Sequence, residues 1–489
     1  MKRLNASHAP APARPVRVLQ FGEGNFLRAF VDYFIDIANE KAGFDGSVVL
    51  VKPIEMGQLF PAFREQDHRY TVLLRGLVDG QAVEQSRVVT SVSDAVDCYA
   101  DYDAYAAYAK CDTLRFIVSN TTEAGIVLDE QDDLAACPPR SFPGKLTKFL
   151  YERAVNFDYA ADKGVIMLPV ELIDDNGVML KKCVLALAEK WALGEKFITW
   201  LEEACVFTST LVDRIVTGYP RGEDEAIWQK LGYEDRILVT AEPFGLWVIE
   251  SDRDISAELP LPQCGLPVIF TDNQKPYKQR KVRILNGAHT SFVPAAFQCG
   301  HDYVLQAMQD PMIQQFMQDT LHEEVIPTLS LPKDDLLAFA DAVTGRFMNP
   351  YIKHALLSIC LNSVSKWRAR CMPSLLGYIE KEGKLPARLT FSLASLMALY
   401  HGGRLEDGKL VCQRGGECYT LQDDAAVLAF FAENSGKPAG ELVRLFLSNT
   451  DFFGQDLTAI PGLEASVMQS LEDILARGMR AAMTDRFGG

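Results

Sequence analysis

A short apolar segment followed by a glycine turn constrains the fold of this chain more than any other feature. Val16–Phe21 (VRVLQF) has the composition of a buried strand, and Gly22-Glu23-Gly24 follows it directly. A helical pattern (AFVDYFIDIANEKAGF) and a second strand pattern, Ser47–Val51, come next. This order predicts a βαβ unit of the kind that opens a dinucleotide-binding fold.

Strand and helix patterns continue to alternate over the first half of the chain. Further strand patterns lie at Leu114–Val118, Val165–Val170, Leu238–Ala241, Leu246–Glu250 and Val268–Thr271. After about residue 275, long helical patterns such as ARLTFSLASLMALY replace them. We therefore predict an α/β, Rossmann-like N-terminal domain over residues 16–274 and a mainly α-helical C-terminal domain over residues 275–489, behind a mobile Ala/Pro-rich leader at residues 1–15.

The charge and the cysteine content exclude several classes of protein. A net charge of −16 argues against binding to nucleic acids and to anionic membranes. The eleven cysteines include no C-x-x-C pair, which indicates free buried thiols in a reducing compartment and no metal site. Because the chain shows neither a signal-peptide pattern nor a long apolar run, we expect a cytoplasmic protein. We expect it to act as a monomer or a small homo-oligomer, which the sequence does not distinguish.

The glycine turn matches only part of the dinucleotide-binding fingerprint. Gly22 and Gly24 let the backbone approach a pyrophosphate, and the helix that follows favours its negative charge, but Leu27 occupies the third glycine position. Arg28 either adds a positive charge near the phosphates or is an ordinary surface arginine. Lys52 follows the second strand, where an acidic residue would hold a ribose hydroxyl, so the residues alone leave NAD and NADP open.

A basic segment between residues 275 and 289 carries the strongest chemical signal. Five lysines and arginines fall between Lys275 and Arg283 in an otherwise acidic protein, and they form either a solvated face or the entrance to a buried site. In a helix, Asn286 and His289 share a face, and Lys281 precedes Asn286 by about one and a half turns. A lysine, an amide and an imidazole are suited to move a proton and polarise an oxygen in carbonyl reduction.

Two further segments hold charged residues with two interpretations each. Asp213 and Arg214 (TLVDRIV) form either a buried structural pair or part of a site. Lys353 and His354 follow the turn in GRFMNPYIKH, and Lys366 and Arg370 come later, so this region is either a cationic pocket for a carboxylate or an ordinary helix start. The sequence contains no P-loop, no H-E-x-x-H and no G-x-S-x-G motif.

Several of these segments together resemble the polyol-specific long-chain dehydrogenase/reductase family, to which mannitol dehydrogenase belongs. The resemblance covers the whole chain and includes FGEGNFLRAF, SNTTEAGI, STLVDRIVTGYP, KPYKQRKVRILNGAHT and AVTGRFMNPYIKH. It implies a Rossmann-like domain, a helical domain and an active site between them, with NAD as cofactor. Together with the patterns above, it gives an expected metal-free site: catalytic Lys281, Asn286 and His289; cofactor-binding Gly22, Gly24, Asn25, Phe26, Arg28 and Thr121; substrate-binding Asn176, Asp213, Lys353, His354 and Lys366.

The chain departs from its polyol-oxidising relatives where substrate hydroxyls are expected to bind. Ser358 stands where they carry arginine, and Glu171-Leu172 stands where they carry Asp-Asn. These changes favour a sugar acid over mannitol, and the resemblance implies an NAD-dependent interconversion of tagaturonate and altronate. Fructuronate reduction (mannonate oxidation), a polyol dehydrogenase of the same family and a catalytically silent nucleotide sensor remain as alternatives.

Overall fold

A computed structural model describes residues 1–55, 59–78, 80–122 and 124–488 of the chain. Glu123, within the segment SNTTEAGI, lies outside the described residues. The chain forms two compact units, of which the first comprises Met1–Gly76 and Ala82–Gln274 and the second comprises Leu77–Gln81 and Lys275–Gly489.

The first unit is built on a six-stranded parallel sheet in the order β5-β2-β1-β6-β7-β8. This is the doubly wound arrangement, in which the strand order reverses beside β1, and it confirms the predicted Rossmann-like fold. Its strands are β1 (Val16–Phe21), β2 (Ser47–Val51), β5 (Val92–Val96), β6 (Phe116–Ser119), β7 (Ile166–Pro169) and β8 (Val206–Phe207).

Two smaller sheets complete the first unit, and the sequence patterns missed part of them. One has the order β10-β11-β3-β4 and the other β13-β12-β9. The long strands β3 and β4 were not predicted. Exposed polar residues interrupt the apolar run of β4, whereas all but the last two residues of β3 are buried. The strands are β3 (Tyr70–Val78), β4 (Gln81–Val89), β9 (Ser209–Asp213), β10 (Val216–Gly218), β11 (Val239–Ala241), β12 (Leu246–Glu250) and β13 (Val268–Thr271).

Helices cover both faces of the six-stranded sheet, and alternate residues of each strand point to opposite sides. In β1, Val18 packs in one apolar cluster and Leu19 in another. The first helical stretch is continuous from residue 25 to residue 41, with a π-helical turn at Arg28–Asp32 between α1 and α2. The helices of this unit are α1 (Asn25–Leu27), α2 (Tyr33–Lys41), α3 (Leu59–Glu65), α4 (Tyr102–Ala106), α5 (Phe142–Asn156), α6 (Asn176–Lys190), α7 (Glu195–Glu203) and α8 (Asp224–Leu231).

The leader at residues 1–15 makes contacts within the first unit. Leu4 is fully buried, and its N–H donates to the carbonyl oxygen of Glu234 at 2.8 Å. Arg3 forms an ion pair with Glu65 at 2.5 Å. The mobility of this segment stays a prediction.

The second unit is mainly helical, as predicted, but it also contains a small sheet that the patterns missed: β14 (Arg404–Glu406), β15 (Lys409–Arg414) and β16 (Glu417–Leu421). The pattern KHALLSICLNSVSKWRAR forms two short helices because Asn362 adopts a left-handed conformation (φ 52°) between them. The helices are α9 (Lys275–Arg280), α10 (Gly287–Gln298), α11 (Val304–Gln309), α12 (Pro311–Asp319), α13 (Lys333–Phe347), α14 (Leu356–Ile359), α15 (Ser363–Arg370), α16 (Met372–Glu382), α17 (Ala387–Tyr400), α18 (Ala425–Glu433), α19 (Ala439–Leu447), α20 (Thr450–Phe453), α21 (Leu463–Arg477) and α22 (Met479–Phe487).

All eleven cysteines are free thiols, as predicted, but they are not all buried, since Cys137 and Cys418 are exposed. Within the described ranges, no cluster of His, Cys, Asp or Glu side chains is arranged to hold a metal ion. Among the described helices, none combines the length and the apolar character needed to cross a membrane.

Candidate active site

The glycine turn after β1 is fixed by close contacts that only glycine permits. Gly22 has φ 129°, and its N–H donates to the carbonyl oxygen of Val51 at 3.0 Å. A Cβ at this position would lie 2.9 Å from Cδ1 of Leu27 and 3.2 Å from the carbonyl oxygen of Asn120. Leu27 therefore occupies the space against the turn, and this explains a bulky side chain at the third position of the glycine fingerprint.

Gly24 marks an open and uncapped helix start. A Cβ at Gly24 would meet nothing within 4 Å, and no described side chain caps the N-terminus of the helix that begins at Asn25. Phe26 stacks on Phe30, with ring centroids 4.9 Å apart. Free N–H groups at a helix start and open space beside a glycine suit a pyrophosphate, so the residues present fit a dinucleotide.

The π-helical turn at Arg28–Asp32 places a buried carboxyl group beneath the glycine turn. The Tyr70 hydroxyl donates to Oδ2 of Asp32 at 2.9 Å. Gln20 Nε2 donates to the carbonyl oxygen of Gly22 at 3.1 Å and lies 3.4 Å from Oδ2 of Asp32. Burial raises the pKa of Asp32 to about 7, although the bonds from Tyr70 and Gln20 act in the opposite direction. The carboxyl group and the turn therefore belong to one hydrogen-bond network.

Arg28 is buried, so its interpretation as an ordinary surface arginine is wrong. Its guanidinium donates to Oδ1 of Asn25 at 2.7 Å, to the carbonyl oxygen of Glu23 at 3.1 Å and to the carbonyl oxygen of Ile237. Arg28 and Asn25 also line a cavity of about 580 Å³ together with Arg221 and Arg236. Burial lowers the pKa of Arg28, which nevertheless adds positive charge beside the helix start.

Thr121 is held by a buried carboxylate from the neighbouring strand end. Its N–H and its hydroxyl both donate to Oε1 of Glu171 at 3.0 Å, and the Ser119 hydroxyl donates to Oε2 at 3.1 Å. Burial raises the pKa of Glu171. Glu171 thus shapes the carboxyl ends of β6 and β7, where a parallel sheet binds its ligands.

The Asn176 side chain forms hydrogen bonds with the backbone of several neighbouring segments. Its side-chain nitrogen donates to the carbonyl oxygens of Pro169, Glu171 and Thr210 at 3.0–3.1 Å, and its side-chain oxygen accepts from the N–H groups of Gly177 and Thr210 at 2.9 Å. The side chain is completely buried and its hydrogen-bonding capacity is used. These contacts lend no support to the prediction that Asn176 contacts substrate.

Arg214, like Asn176, uses its side chain to bind backbone carbonyl oxygens. Its guanidinium donates to the carbonyl oxygens of Ala29 (2.7 Å), Phe244 (2.8 Å) and Pro243 (3.2 Å), and burial lowers its pKa to about 10. Asp213, the last residue of β9, is 6% exposed.

In the second unit, Lys281 and Asn286 are the first and last residues of a π-helical segment. In an α-helix, side chains five residues apart point in directions that differ by about 140° around the helix axis. In a π-turn, the i→i+5 hydrogen bond brings two such residues to the same side of the helix. Both side chains are half-buried, and His289 follows in α10. The π-turn therefore brings Lys281 and Asn286 to one side, which the expected α-helix would not do.

His289 is packed between aromatic rings and is kept neutral. Its ring stacks on Phe347, with centroids 4.0 Å apart, and meets the ring of His354 edge-on at 5.3 Å. Burial lowers the pKa of His289 well below its ordinary value, and His354 and nearby cations lower it further. Nε2 of His289 is buried and has no hydrogen-bond partner among the described residues, so it is available to a ligand.

Several cations surround this imidazole. Arg346, Arg370 and Lys366 each act electrostatically on His289. Nζ of Lys366 donates to the carbonyl oxygen of Ile359 at 3.0 Å, and Arg370 donates to Oγ1 of Thr290 at 3.3 Å. We call Arg346, Lys366 and Arg370 the cationic cluster.

Two other predicted positions have different surroundings. Lys353 is exposed. The Ser358 hydroxyl donates to the carbonyl oxygen of Ala355 at 2.7 Å, and the residue is exposed.

Arg283 donates to the hydroxyls of Ser374 (2.5 Å) and Thr328 (2.6 Å). Sequence reasoning had no signal for Phe347, because its contact with His289 spans 58 positions of the chain.

Comparison with known proteins supports the fold and gives the family. The mannitol dehydrogenase Rossmann domain matches residues 16–262, and the mannitol dehydrogenase C-terminal domain matches residues 273–475. An altronate oxidoreductase of Pectobacterium carotovorum is 48% identical over 491 residues, which is 99% of each chain.

Solved structures resemble the chain over nearly its whole length. D-Sorbitol dehydrogenase in substrate-free form has a TM-score of 0.80 at 21% identity and covers 98% of this chain and 100% of its own. Pseudomonas fluorescens mannitol 2-dehydrogenase, in a ternary complex with NAD and D-mannitol, has a TM-score of 0.67 at 22% identity, with 99% of each chain covered. The chain belongs to the mannitol dehydrogenase family of oxidoreductases.

Proposed function

We propose that this oxidoreductase interconverts tagaturonate and altronate with NAD as cofactor and with Lys281 as the acid/base. The observation that carries the proposal is the cationic cluster, because a chain with a net charge of −16 otherwise repels an anionic sugar acid. The relative from Pectobacterium carotovorum, which shares 48% identity over 99% of both chains, bears the name altronate oxidoreductase.

The cluster suits a carboxylate-bearing substrate. Lys366 and Arg370 supply charges that pair with a carboxylate, and Arg in particular binds carboxylates with two parallel hydrogen bonds. Ser358, in place of the arginine of polyol-oxidising relatives, alters the hydroxyl-binding side of the site. The substrate carboxylate is therefore expected to raise affinity through these cations, and screening by salt is expected to weaken it.

The first unit supplies the residues that would hold the cofactor. Gly22 permits the tight turn and Gly24 leaves room for the pyrophosphate, the backbone N–H groups from Asn25 and Phe26 onward are proposed to face it, and Arg28 adds charge. Thr121, fixed by Glu171, lies at the carboxyl end of β6 beside the switch point. When bound, the dihydronicotinamide form supplies the hydride.

The chain's own residues manage the proton and the reacting oxygen. In the reductive direction, the ammonium group of Lys281 donates a proton to the keto oxygen of the substrate, which becomes the hydroxyl of altronate. The Asn286 amide donates a hydrogen bond to the same oxygen and stabilises its growing negative charge. The neutral imidazole of His289 binds the substrate through Nε2 without adding a competing acid. In the oxidative direction, the neutral amine of Lys281 accepts the hydroxyl proton.

The test follows NADH absorbance after addition of tagaturonate, with fructuronate, fructose and NADPH in parallel. We expect rapid oxidation of NADH with tagaturonate. Activity on fructuronate alone would assign the chain to mannonate oxidation, and activity on neither acid would exclude the role proposed for the cationic cluster.

The role of Lys281 is tested in the same assay. Lys281→Ala should lower kcat by about 10²–10⁴-fold while leaving the Kd for NADH nearly unchanged, because the lysine acts on the proton. Lys333→Ala, at an exposed position in the same unit, is the control and should retain full activity. Strong residual turnover in Lys281→Ala would contradict the assignment.

A further inference from the structure

The ends of three neighbouring strands place a lysine and an aspartate side by side. In the register of the sheet, Phe21 pairs with Val51 and Val51 pairs with Val96. Gly22, Lys52 and Asp97 are thus the first residues beyond β1, β2 and β5. The Gly22 N–H donates to Val51 (3.0 Å), and the Lys52 N–H donates to Val96 (3.1 Å). The three residues therefore line one edge, beside the open helix start at Gly24.

Lys52 and Asp97 form a well-held ion pair. Nζ of Lys52 lies 2.9 Å from Oδ2 of Asp97, and the two side chains are only 11% and 23% exposed. Oδ1 of Asp97 accepts from the N–H groups of Tyr99 (3.0 Å) and Ala100 (3.3 Å). Burial alone disfavours the charged aspartate, but these bonds outweigh it and lower the pKa of Asp97.

Further bonds fasten the two strand ends to each other. The thiol of Cys98 donates to the carbonyl oxygen of Lys52 at 3.3 Å, and the hydroxyl of Tyr99 donates to that of Pro53 at 3.2 Å. The carboxylate is therefore positioned by its backbone as well as by Lys52, unlike a flexible surface pair, whose two side chains must be ordered by the pairing itself.

The pair lies where a dinucleotide fold recognises the adenosine ribose. An acidic residue at the end of the second strand usually accepts the ribose hydroxyls, and a positive residue there accommodates a 2′-phosphate. Here the second strand is followed by a lysine, whose charge is already matched by Asp97. Glu23, in the turn beside them, adds a second acidic group: burial raises its pKa, and Asp97 acts in the same direction.

We infer that Asp97, held in place by Lys52, accepts the adenosine ribose hydroxyls of the cofactor and repels a 2′-phosphate, so that this chain selects NAD over NADP. The acid that the second strand lacks is supplied from the adjacent strand β5, about 4.8 Å away across the sheet. This inference rests on the proposed function, because it presupposes a nicotinamide dinucleotide at the glycine turn.

The experiment measures binding rather than turnover. NADH and NADPH fluorescence is titrated with the full-length protein in the absence of any sugar acid, and the ratio of Kd for NADPH to Kd for NADH is compared among variants. Asp97→Asn should lower this ratio at least tenfold, because the carboxylate is lost and Lys52 is released. Lys52→Ala leaves the carboxylate in place and should keep the ratio at or above the wild-type value.

Controls separate this inference from a general effect on folding and from the proposed function. Asp158→Asn removes one partner of an exposed pair, Lys196–Asp158 (2.8 Å), and should leave the ratio unchanged. The ratio is internal to each variant, so a partly folded sample does not alter it. If Asp97→Asn does not fold, the Lys52→Ala variant alone provides the test. A ratio of Kd for NADPH to Kd for NADH below the wild-type value in Lys52→Ala then overturns the inference.

The remaining outcomes are distinct. A wild-type protein that binds NADPH at least as well as NADH, or an Asp97→Asn ratio within twofold of wild type, overturns the inference and leaves the oxidoreductase proposal standing. A wild-type protein that binds neither nucleotide overturns both.

Discussion

His289 lies almost parallel to Phe347, with ring centroids 4.0 Å apart and an angle of 22° between the planes. The phenyl ring keeps water from one face of the imidazole, and His354 covers it edge-on. Burial is the largest cause of the low pKa of His289, so these aromatic contacts keep the ring neutral even at a pH where an ordinary histidine is protonated. A neutral imidazole can bind the reacting oxygen while the proton transfer is left to another group.

We predict that Phe347→Ala raises the pKa of His289 toward the ordinary histidine value of about 6.5, since water then reaches the ring. NMR titration of the histidine ring signals gives this pKa directly. Phe347→Leu keeps most of the apolar cover and should raise it less. An unchanged pKa in Phe347→Ala would show that the neighbouring cations, rather than burial, keep His289 neutral.

Asp32 gives a prediction of pH-dependent stability. Its pKa in the folded chain is about 7, above the value of 3.8 expected in the unfolded chain, so the folded state holds a proton that the unfolded state has lost. The stability from this proton is complete below pH 3.8 and is lost as the pH rises through 7. Asp32→Asn resembles the protonated form and should remove this decline.

The measurement compares denaturant unfolding at pH 5.5 and pH 8. At pH 8, Asp32→Asn should be more stable than wild type by on the order of 2–3 kcal/mol, from roughly 1.4 kcal/mol per pKa unit less the cost of a buried amide without a partner. Asp36 provides the contrast, because it pairs with Arg87 at 2.6 Å and Asp36→Asn should be less stable. If Asp32→Asn and wild type change in parallel with pH, the carboxyl group is not protonated in the fold.

The two glycines of the turn should respond differently to alanine. Gly22→Ala meets Leu27 at 2.9 Å and imposes φ 129° on a residue with a Cβ, so it should lower the free energy of unfolding by about 1–3 kcal/mol. Gly24→Ala meets nothing and should leave the thermal midpoint unchanged, but its methyl group projects into the space proposed for the pyrophosphate and should weaken NADH binding about tenfold or more.

Thermal unfolding and NADH titration of the two variants, side by side, check this contrast. Equal NADH affinity in Gly24→Ala and wild type would place the pyrophosphate elsewhere. An unaffected thermal midpoint in Gly22→Ala would mean that the turn can rearrange.

The order of elements could be predicted from the sequence because helices and strands leave local periodic patterns. Val16–Phe21, the glycine turn and Ser47–Val51 predicted the βαβ opening, and the structure confirms it. Strands Leu246–Glu250 and Val268–Thr271 have the predicted bounds. The exposed polar strand Gln81–Val89 has no such apolar run, and the patterns missed it.

The tertiary structure decided how the chemical groups meet. Spacing alone put Lys281 and Asn286 on different sides of an α-helix, and the π-helical turn brings them to one side. Contacts between distant positions left no local pattern: Phe347 reaches His289 through helix packing, and Asp97 reaches Lys52 because β5 lies beside β2. Local patterns in the sequence therefore suffice for the residue types and for most elements and their order. Strand pairing and helix packing set which side chains share one environment, because burial and neighbouring charges act through space and not along the chain.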